Sequence, residues 1–437
     1  MDPRTSEVYM YTQLKISRVL GIWPYTEQTM LWKKILSKTV FYSMLGIKFC
    51  TLLAVSYHIF LKWGHLPDPY ETIVVLTAHF NTIFGMLYIP IRISKFLLLL
   101  KTMDDHFIIP TDSTQQHLFE ETMRSASFVT KMFLGSALST GVSYAVIPFT
   151  AYTNGTMNHP LPFHAALPFD ITQTSSYWMA YFLLEISMFT LCINGSVNCD
   201  FFVSMIIKTT CQFRFLQRMI ADIKEEAIKR NKQKQQDKSK KASHTDGTQS
   251  EISILSLTDT NKDDKLTTKE DDKTHGEELD CEFLQRLSEC VKYHQLLLQF
   301  VHDLKTAASP FMLFQVLIYV IFLCMNVLGM STVPVLSSEF ANTLIFVICV
   351  LSLLLLLCWY GNELTIQSLE VAQAAYECDW CDGSSSAKRS LVMIMSRAQK
   401  PVKLTAWKFF DVDLKMFTAV LRATYSYYQV LHEVYTE

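Results

Sequence analysis

One short stretch of the sequence has the residue types and spacing of a calcium-binding loop. In residues 259–270, DTNKDDKLTTKE, Asp or Asn occupies positions 1, 3 and 5 and Glu270 occupies position 12, and these oxygen ligands suit a hard cation. Position 6 is Asp264, whereas the sharp turn of an EF-hand loop requires glycine there. The following residues also lack an apolar face for an exit helix. The sequence therefore favours a polar, charge-mixed segment over a calcium site.

A second candidate for metal chemistry is the motif CDWC, formed by Cys378 and Cys381. Its spacing is that of half a zinc site, but no second pair at a suitable spacing accompanies it in the sequence. The sequence also has no nucleophile elbow, Walker loop, metalloprotease helix or paired carboxylates. We therefore expect no metal, no cofactor and no enzymatic activity.

The composition is typical of a membrane protein. Half of the 437 residues are hydrophobic and only 18% are charged, and the charges are clumped. Six apolar stretches each approach the length of about 20 residues that a helix needs to cross a bilayer. These stretches are residues 40–61, 72–91, 126–149, 177–197, 310–330 and 343–361. The first follows a polar segment with several lysines, so we interpret it as an uncleaved anchor.

Residues 413–435 form a seventh candidate span with a different character. At 100° per residue, one face of this helix is polar. This polar stripe consists of Lys415, Thr418, Arg422, Ser426, Gln429 and Glu433. A stripe of this length must face water or protein. The helix therefore either crosses the bilayer beside other protein or lies on the membrane surface.

The distribution of basic residues predicts the orientation of the spans. Lysine and arginine are frequent before span one, between spans two and three, in the 208–241 region and between spans six and seven. The connections 150–176 and 331–342 contain none, and 62–71 contains only Lys62. This pattern favours a true seventh span over a surface helix. We thus predict an all-α membrane protein with seven transmembrane helices, a cytoplasmic N-terminus and an extracellular C-terminus.

The predicted topology divides the chain into four segments. Residues 1–39 form a cytoplasmic N-terminal segment, and residues 40–223 hold transmembrane helices one to four. Residues 224–280 form a cytoplasmic insertion that is predicted to be disordered, because it is too polar to bury a core. A regulatory role of the insertion through phosphorylation, calmodulin or lipid headgroups stays open. Residues 281–437 hold helices five to seven, with a cytoplasmic anchor region and a last helix that lines a pore.

Two glycosylation motifs test this topology. Asn154 lies in an NGT motif of a long outer connection, where we expect glycosylation, whereas Asn194 lies within a span and should stay unmodified.

Glu185 is an acidic residue inside span four. Acidic residues at this depth usually find a polar partner or a wet cavity.

The spans fit signalling or transport. A G-protein-coupled receptor would need the opposite orientation, and its Asp-Arg-Tyr and Asn-Pro-x-x-Tyr motifs are missing from the sequence. A secondary transporter would usually show paired repeats with helices broken by Gly or Pro, and we find none among the thirteen glycines of the chain. The polar stripe suggests a pore. Since one stripe cannot enclose a channel, several copies would have to surround an axis.

Five segments resemble insect odorant receptors, and the resemblance covers essentially the whole chain. They are MFTAVLRATYSYYQVL (416–431), SRAQKPVKLTAWKFFDVDL (396–414), CWYGNELTIQSLEVAQAAYECDW (358–380), DFFVSMIIKTTCQFRFLQ (200–217) and GIWPY (21–25). The resemblance implies a seven-helix subunit of a ligand-gated cation channel, in which odour-tuned subunits and a shared co-receptor form a hetero-tetramer. The closing residues differ from those of the co-receptor, which implies an odour-tuned subunit.

The resemblance also implies a location, ligands and alternatives. It places the protein in the plasma membrane of olfactory sensory neurons, with small volatile molecules as ligands and no nucleic-acid partner. The long insertion departs from the family pattern, because tuned subunits usually have a short connection there. The alternatives are a seven-helix G-protein-coupled chemoreceptor and a gustatory receptor-like channel.

The family places its ligand pocket among the outer halves of spans two, three, four and six, in a largely apolar cavity. The candidate ligand-binding residues are His79, Phe80, Ile83, Ser139, Ser143, Tyr181, Met188, Phe346 and Val350. For any one of these residues, ordinary helix packing is the alternative role.

The family also implies a gate on the last helix, at positions that match Val430 and Val434. These residues lie one helical turn apart, so copies around an axis could form stacked apolar rings that block ions by dewetting. Ser426 and Gln429 of the polar stripe lie beside them. The alternative is that both valines pack against a neighbouring helix.

Overall fold

The computed structural model of the chain describes residues 5–25, 29–62, 69–110, 113–153, 161–245, 264–335, 337–381, 383–407 and 409–436. Within these residues the chain forms eleven helices and one two-stranded antiparallel sheet. In chain order the elements are α1 (Thr5–Val19), α2 (Leu31–Leu61), α3 (Pro69–Ile91), α4 (Ile93–His106), α5 (Ser113–Thr153), α6 (Thr174–Ala221), α7 (Ile223–Thr245), α8 (Asp264–Thr332), α9 (Ser338–Glu377), α10 (Ser385–Ala398), β1 (Thr405–Ala406), β2 (Phe410–Asp411) and α11 (Leu414–Thr436).

The seven predicted spans lie on seven of these helices, namely α2, α3, α5, α6, α8, α9 and α11. By length and composition alone, five of the described helices are apolar enough to cross a membrane: α2, α3, α6, α8 and α9. Helices α5 and α11, which carry predicted spans three and seven, are not among those five. Most helices also extend beyond the predicted spans by several turns.

The apolar surface of the helices indicates where lipid lies. On α2, Leu53 and Phe60 are 66% and 75% exposed, and on α6 and α9 the side chains of Phe182 and Ile348 are also more than half exposed. A soluble monomer rarely exposes apolar patches of this extent. These surfaces are therefore suited to contact with hydrocarbon.

A buried cluster of polar side chains fixes the N-terminal helix α1 in place. The amide Nε2 of Gln13 donates hydrogen bonds to Thr130 Oγ1 on α5 and to Ser204 Oγ on α6, both at 2.9 Å. Both hydroxyl groups donate in turn to Oδ1 of Asp200, at 3.0 and 3.3 Å. Because leaving any one of these buried groups unpaired costs about 1–3 kcal/mol, the cluster holds α1 against α5 and α6.

Residues 212–299 and 365–402 form a second compact unit. In this unit, acidic and basic side chains of α7 and α8 pair with each other. Arg286 contacts Glu226 at 2.8 Å, and Lys234 contacts Glu282, whose side chain is only 6% exposed. These ion pairs join the two helices along the face where Ile223 is buried.

Parts of residues 224–280, the insertion that the sequence predicts to be disordered, have helical backbone in the structure. Helix α7 covers residues 223–245, and α8 begins at Asp264, while residues 246–263 lie outside the described residues. Lys234 and Arg230 of this segment pair with Glu282 and Glu289 of α8, and a pairing between two helices cannot be inferred from local composition.

The EF-hand-like pattern falls across this boundary. Its first five positions, residues 259–263, lie outside the described residues. Positions 6 to 12, from Asp264 to Glu270, have helical backbone at the start of α8. An EF-hand loop turns sharply at a glycine in position 6, whereas here Asp264 begins a helix.

Helix α9 passes very close to the segment that follows the small sheet. A Cβ atom added to Gly361 would overlap the carbonyl oxygen of Val412 and would lie 3.0 Å from Val412 Cγ1. Val412 is held in place because its N–H donates to the carbonyl of Leu404 at 2.9 Å. Glycine is thus required at this crossing for steric reasons.

We expect Gly361→Ala to destabilise the protein by about 1–3 kcal/mol, since the backbone at Val412 must shift to make room. The measurement is the thermal unfolding of the purified protein in detergent. The matched control is Gly46→Ala on α2, where an added Cβ meets no atom within 4 Å and the unfolding temperature should stay equal or rise slightly. Equal unfolding temperatures for the two variants would contradict the close crossing.

Candidate functional site

A largely apolar cavity lies among five helices of the first compact unit, which comprises residues 1–211, 300–364 and 403–437. Its volume is about 100 Å³. Helices α3, α5, α6, α8 and α9 supply the wall. The wall residues are Val74, Val75, Ala78, Asn81, Thr82, Ala137, Thr140, Tyr144, Met188, Leu191, Cys192, Gly195, Ser196, Cys199, Gln315, Tyr319, Phe322, Phe346, Cys349, Val350 and Leu353.

Each helix contributes one face to this cavity wall. On α3 and α6 the wall residues recur at intervals of three and four residues, which is the spacing of a single helical face. The α6 face runs from Met188 to Cys199, about three turns. No charged side chain is among the wall residues. The arrangement therefore suits a small, uncharged organic molecule.

Several polar groups of the wall already have hydrogen-bond partners. Thr82 Oγ1 donates to the carbonyl of Ala78 at 3.0 Å, and Thr140 Oγ1 donates to the carbonyl of Ser136 at 2.9 Å. Both partners lie four residues earlier on the same helix. These hydroxyl groups can still accept a hydrogen bond, but their own hydrogens are engaged.

Three of the predicted ligand-binding residues lie on the cavity wall: Met188 on α6, and Phe346 and Val350 on α9. The structure thus brings these three side chains together around one space. Their contact with a ligand stays a prediction.

Five other predicted residues lie away from the wall. Phe80 is 51% exposed, with its ring centroid 5.7 Å from that of Phe314 on α8, and Ser139 is exposed. Ser143 donates its hydroxyl hydrogen to a carbonyl of its own helix, and Tyr181 donates to a backbone carbonyl of α5 at 2.7 Å. Ile83 is buried but is not among the wall residues.

On α5 the predicted residues and the wall residues differ in helix phase. The wall residues there are Ala137, Thr140 and Tyr144, whereas the predicted Ser139 and Ser143 each lie one residue before a wall residue. A shift of one residue rotates a side chain by about 100°. Small and hydroxyl side chains occur on every face of α5. The sequence pattern therefore does not show which face points inward.

The sequence analysis did not predict that α8 contributes to the cavity wall, because the predicted pocket did not include span five. Its wall residues Gln315, Tyr319 and Phe322 have the spacing of one helical face. Two polar side chains at this spacing inside an otherwise apolar span are a signal that sequence reasoning could have used.

His79, the remaining predicted ligand contact, belongs to a buried polar cluster. Its Nε2 lies 3.0 Å from Ser187 Oγ, and its Nδ1 lies 2.8 Å from the carbonyl oxygen of Val75. Lys48, fully buried on α2, donates to the backbone carbonyl of Ser187, and Thr51 Oγ1 lies 3.1 Å from Ser187 Oγ. These contacts join α2, α3 and α6, and a ligand contact of His79 stays a prediction.

Sequence reasoning overlooked Lys48, although a lysine inside an apolar span is itself a signal of a buried polar contact. Glu185 lies on the same helix as Ser187 and is 8% exposed. Within the described part of the chain, neither of its carboxylate oxygens has a hydrogen-bond partner. The expected polar partner of Glu185 is thus not found among the described residues.

Helix α11 is amphipathic in the way that the sequence indicates. All six residues of the polar stripe are exposed, whereas Met416, Val420 and Thr424 on another face are buried. Ser426 and Gln429 are exposed members of the stripe, and Gln429 Nε2 donates to the hydroxyl of Tyr425 at 2.9 Å. The stripe thus has no cover within this single chain along the described part of α11.

Of the two predicted gate residues, the structure describes the side chain of Val430 but not that of Val434. Val430 is 60% exposed and lines an apolar cleft of about 720 Å³ between α8 and α11. Val434 lies on α11, but its side chain lies outside the part of the structure that is described. The cleft wall also includes Val316 and Ile321 of α8 and Tyr427 of α11.

The glycosylation and zinc predictions concern other residues. Asn154, the predicted glycosylation site, lies outside the described residues. Cys378 is buried and donates to the carbonyl of Ala375 at 3.3 Å, while Cys381 is exposed. Among the residues that the structure describes, no group of three or more His, Cys, Asp or Glu side chains could hold a metal ion.

Comparisons with known proteins connect this architecture to a family. A family model described as 7tm Odorant receptor matches residues 68–425 of the chain. Odorant receptor 10 of Aedes albopictus is 22% identical over 409 residues, which are 90% of this chain and 92% of that receptor.

A solved structure shares the fold along almost the whole chain. The olfactory receptor OR5 from Machilis hrabei matches with a TM-score of 0.75 at 13% sequence identity, covering 98% of each chain. A structure of the same receptor in complex with eugenol matches equally well. The comparison confirms the predicted all-α membrane fold, and the chain is a multi-pass membrane protein.

Similarity to a co-receptor covers a smaller segment of the chain. The odorant receptor coreceptor of Harpegnathos saltator is 37% identical over 91 residues, which are 21% of this chain and 19% of that protein. Similarity to odorant receptor 10, by contrast, runs along most of the chain. The matched proteins are receptors and not enzymes. Because the family model spans well over half of the sequence, this chain belongs to the 7tm odorant receptor family of insects, as an odour-tuned member rather than the shared co-receptor.

Proposed function

We propose that this chain is the odour-tuned subunit of a ligand-gated cation channel. It binds small volatile molecules in the cavity among α3, α5, α6, α8 and α9, and it opens a pore lined by α11. The observation that carries this proposal is the cavity itself. It is uncharged and mostly apolar, and it lies inside the membrane-spanning bundle of an odorant receptor.

The nature of the ligand follows from the wall. Met188, Phe346 and Val350 supply apolar and aromatic contact area, which favours a hydrophobic molecule of low mass. The Machilis hrabei receptor of the same fold was solved in complex with eugenol, a small aromatic compound. A ligand of comparable size and polarity is therefore a reasonable occupant of this cavity.

The exposed polar stripe of α11 supports a pore built from several copies. One helix cannot enclose an aqueous path, so α11 helices of neighbouring subunits have to meet around an axis. We propose a hetero-tetramer with the odorant co-receptor, which in Harpegnathos saltator is 37% identical to this chain over 91 residues. In this assembly Val430 and Val434 form the apolar constriction, with Ser426 and Gln429 beside it.

The membrane setting is part of the proposal. The basic residues of the connections favour a cytoplasmic N-terminus and an extracellular C-terminus. That orientation puts Asn154 outside, where glycosylation can occur. The proposed location is the plasma membrane of olfactory sensory neurons.

Co-expression with the co-receptor tests the function directly. In a heterologous cell, we expect a panel of volatile compounds to evoke cation currents that depend on this chain. The control is the co-receptor alone. A surface-expressed complex that conducts no cations with any compound would contradict the proposal, and G-protein signalling without the co-receptor would favour a G-protein-coupled chemoreceptor.

Filling the cavity should reduce the sensitivity to odorants. We expect Ala137→Phe to raise the EC50 of active compounds at least about tenfold, equivalent to about 1.4 kcal/mol, because the new ring occupies space in the cavity. The matched control is Ser139→Phe on the exposed side of the same helix, which should leave the EC50 unchanged. Surface labelling of both variants checks their assembly. If Ser139→Phe has the larger effect, the cavity assignment is wrong.

The gate can be tested by cysteine accessibility. We expect Val430→Cys, and likewise Val434→Cys, to make the current sensitive to a charged thiol reagent added from outside, and more so in the presence of agonist. The control is Thr424→Cys, because Thr424 is buried against the protein. The unmodified chain shows the background of the eleven native cysteines. An unaltered current after confirmed labelling of Val430→Cys would show that Val430 does not line the pore.

A further inference from the structure

Part of the connection between α5 and α6 packs into the helix bundle. Residues 161–173 of this connection precede α6 and form neither a helix nor a strand. Connecting segments almost always run over the surface of a protein, yet Phe163 is only 3% exposed. Its side chain belongs to a buried cluster with Val55 of α2, Val75 of α3 and Met188 of α6. Phe163 is thus a core residue that a connection supplies.

Two contacts with α2 hold this part of the connection in place. The N–H of Ala166 donates to the carbonyl of Ala54 at 3.1 Å. The ring of His164 lies parallel to that of His58, with an angle of 8° between the planes and 5.6 Å between the centroids. Because both contacts lie within three residues of Phe163 along the chain, they fix the point at which its side chain enters the bundle.

Phe163 lies behind the cavity wall. Its cluster shares Val75 and Met188 with the wall, and Tyr144, another wall residue, packs against the cluster. The centroid of the Phe163 ring is also 5.8 Å from that of His79, which is itself held by hydrogen bonds. The position of the wall on this side therefore depends on a residue that is not one of the wall residues.

Met188 is the wall residue best able to respond to a change at position 163. A methionine side chain has three rotatable bonds and adapts to irregular space. Protein interiors are close-packed, so a smaller side chain in place of Phe163 leaves room into which Met188 can move, and the cavity grows. A larger side chain pushes Met188 towards the cavity, which then shrinks.

We infer that Phe163 is a positioning residue that sets the size of ligand the cavity accepts, acting through Val75 and Met188. This inference rests on the proposed function and specifies which ligands of a given chemical type fit. It does not depend on the position of the gate or on the number of subunits.

The test uses ligands of one chemical type and increasing length. The probes are straight-chain alkyl acetates and alkyl methyl ketones with chains from propyl to octyl, applied to the chain together with the co-receptor. The measured quantity is the ratio of the EC50 of a long member to that of a short member of the same series. We expect Phe163→Leu to lower this ratio about tenfold, because the enlarged cavity buries about two further methylene groups. Phe163→Trp should raise the ratio.

The ratio distinguishes positioning from a general structural role. A variant that only loosens the fold raises the EC50 of every member by the same factor and leaves the ratio unchanged. The matched control is Phe169→Leu, since Phe169 lies in the same connection but is only partly buried and is not in the cluster. Its ratio should equal that of the unmodified chain. Surface labelling checks the assembly of all variants.

A second measurement makes the test independent of channel opening. Ligand binding to the native state raises the unfolding temperature. Octyl acetate should therefore stabilise the purified complex of Phe163→Leu more than it stabilises the unmodified complex, whereas propyl acetate should not. Phe163→Met, which leaves less empty space than leucine does, provides a second variant and should change both measurements in the same direction by a smaller amount.

The outcomes separate this inference from the proposed function. Unchanged ratios in both Phe163→Leu and Phe163→Trp would overturn the positioning role, and so would a change of equal size in Phe169→Leu. In either case the receptor would still respond to volatile compounds. The proposed function itself fails only if no compound of any class evokes a current.

Discussion

The need to pair polar groups inside an apolar bundle determines how the other helices are arranged around α6. Near one end of its buried face, Ser187 of α6 contacts Lys48 of α2 and His79 of α3. Further along, Asp200 contacts Thr130 of α5 and, through it, Gln13 of α1. Each of these groups would be costly to bury alone. The two clusters therefore fix the positions of four neighbouring helices, and the α6 face between them is the wall of the cavity.

Aromatic packing closes the cavity on the side of the Asp200 cluster. The rings of Phe84 on α3 and Phe314 on α8 have centroids 4.0 Å apart, and those of Phe202 on α6 and Phe311 on α8 lie 4.8 Å apart. On α3, α6 and α8 these rings lie just beyond the wall residues. These large rings occupy much of this end of the bundle, and a void of about 10 Å³ remains beside Phe202 and Phe311. The smaller residues Ala78, Ala137 and Gly195 leave space at the level of the cavity.

Helix α11 stands apart from this arrangement, because only part of its surface is used within the chain. Val420 is buried, while the polar stripe and Val430 are exposed. A helix with both an exposed polar stripe and an apolar cleft beside it is incomplete in a membrane unless further protein covers it. The small sheet before α11 and the close crossing at Gly361 hold the start of this helix, so its direction is set by the bundle.

The sequence by itself determined the features that depend on local pattern. Hydropathy located the spans, and the 3.6-residue period identified the polar stripe of α11. Five segments that resemble insect odorant receptors identified the family. Only the tertiary structure decided which face of each helix is turned inward. Ser139 and Thr140 are adjacent and chemically similar, yet only Thr140 lies on the cavity wall, because the neighbours of α5 fix its rotation. The structure likewise decided that the charges of α7 and α8 pair and that Phe163 packs behind the cavity wall. The physical reason is that hydropathy and periodicity are properties of one segment, whereas helix rotation, ion pairing and packing are set by contacts between residues far apart in the chain.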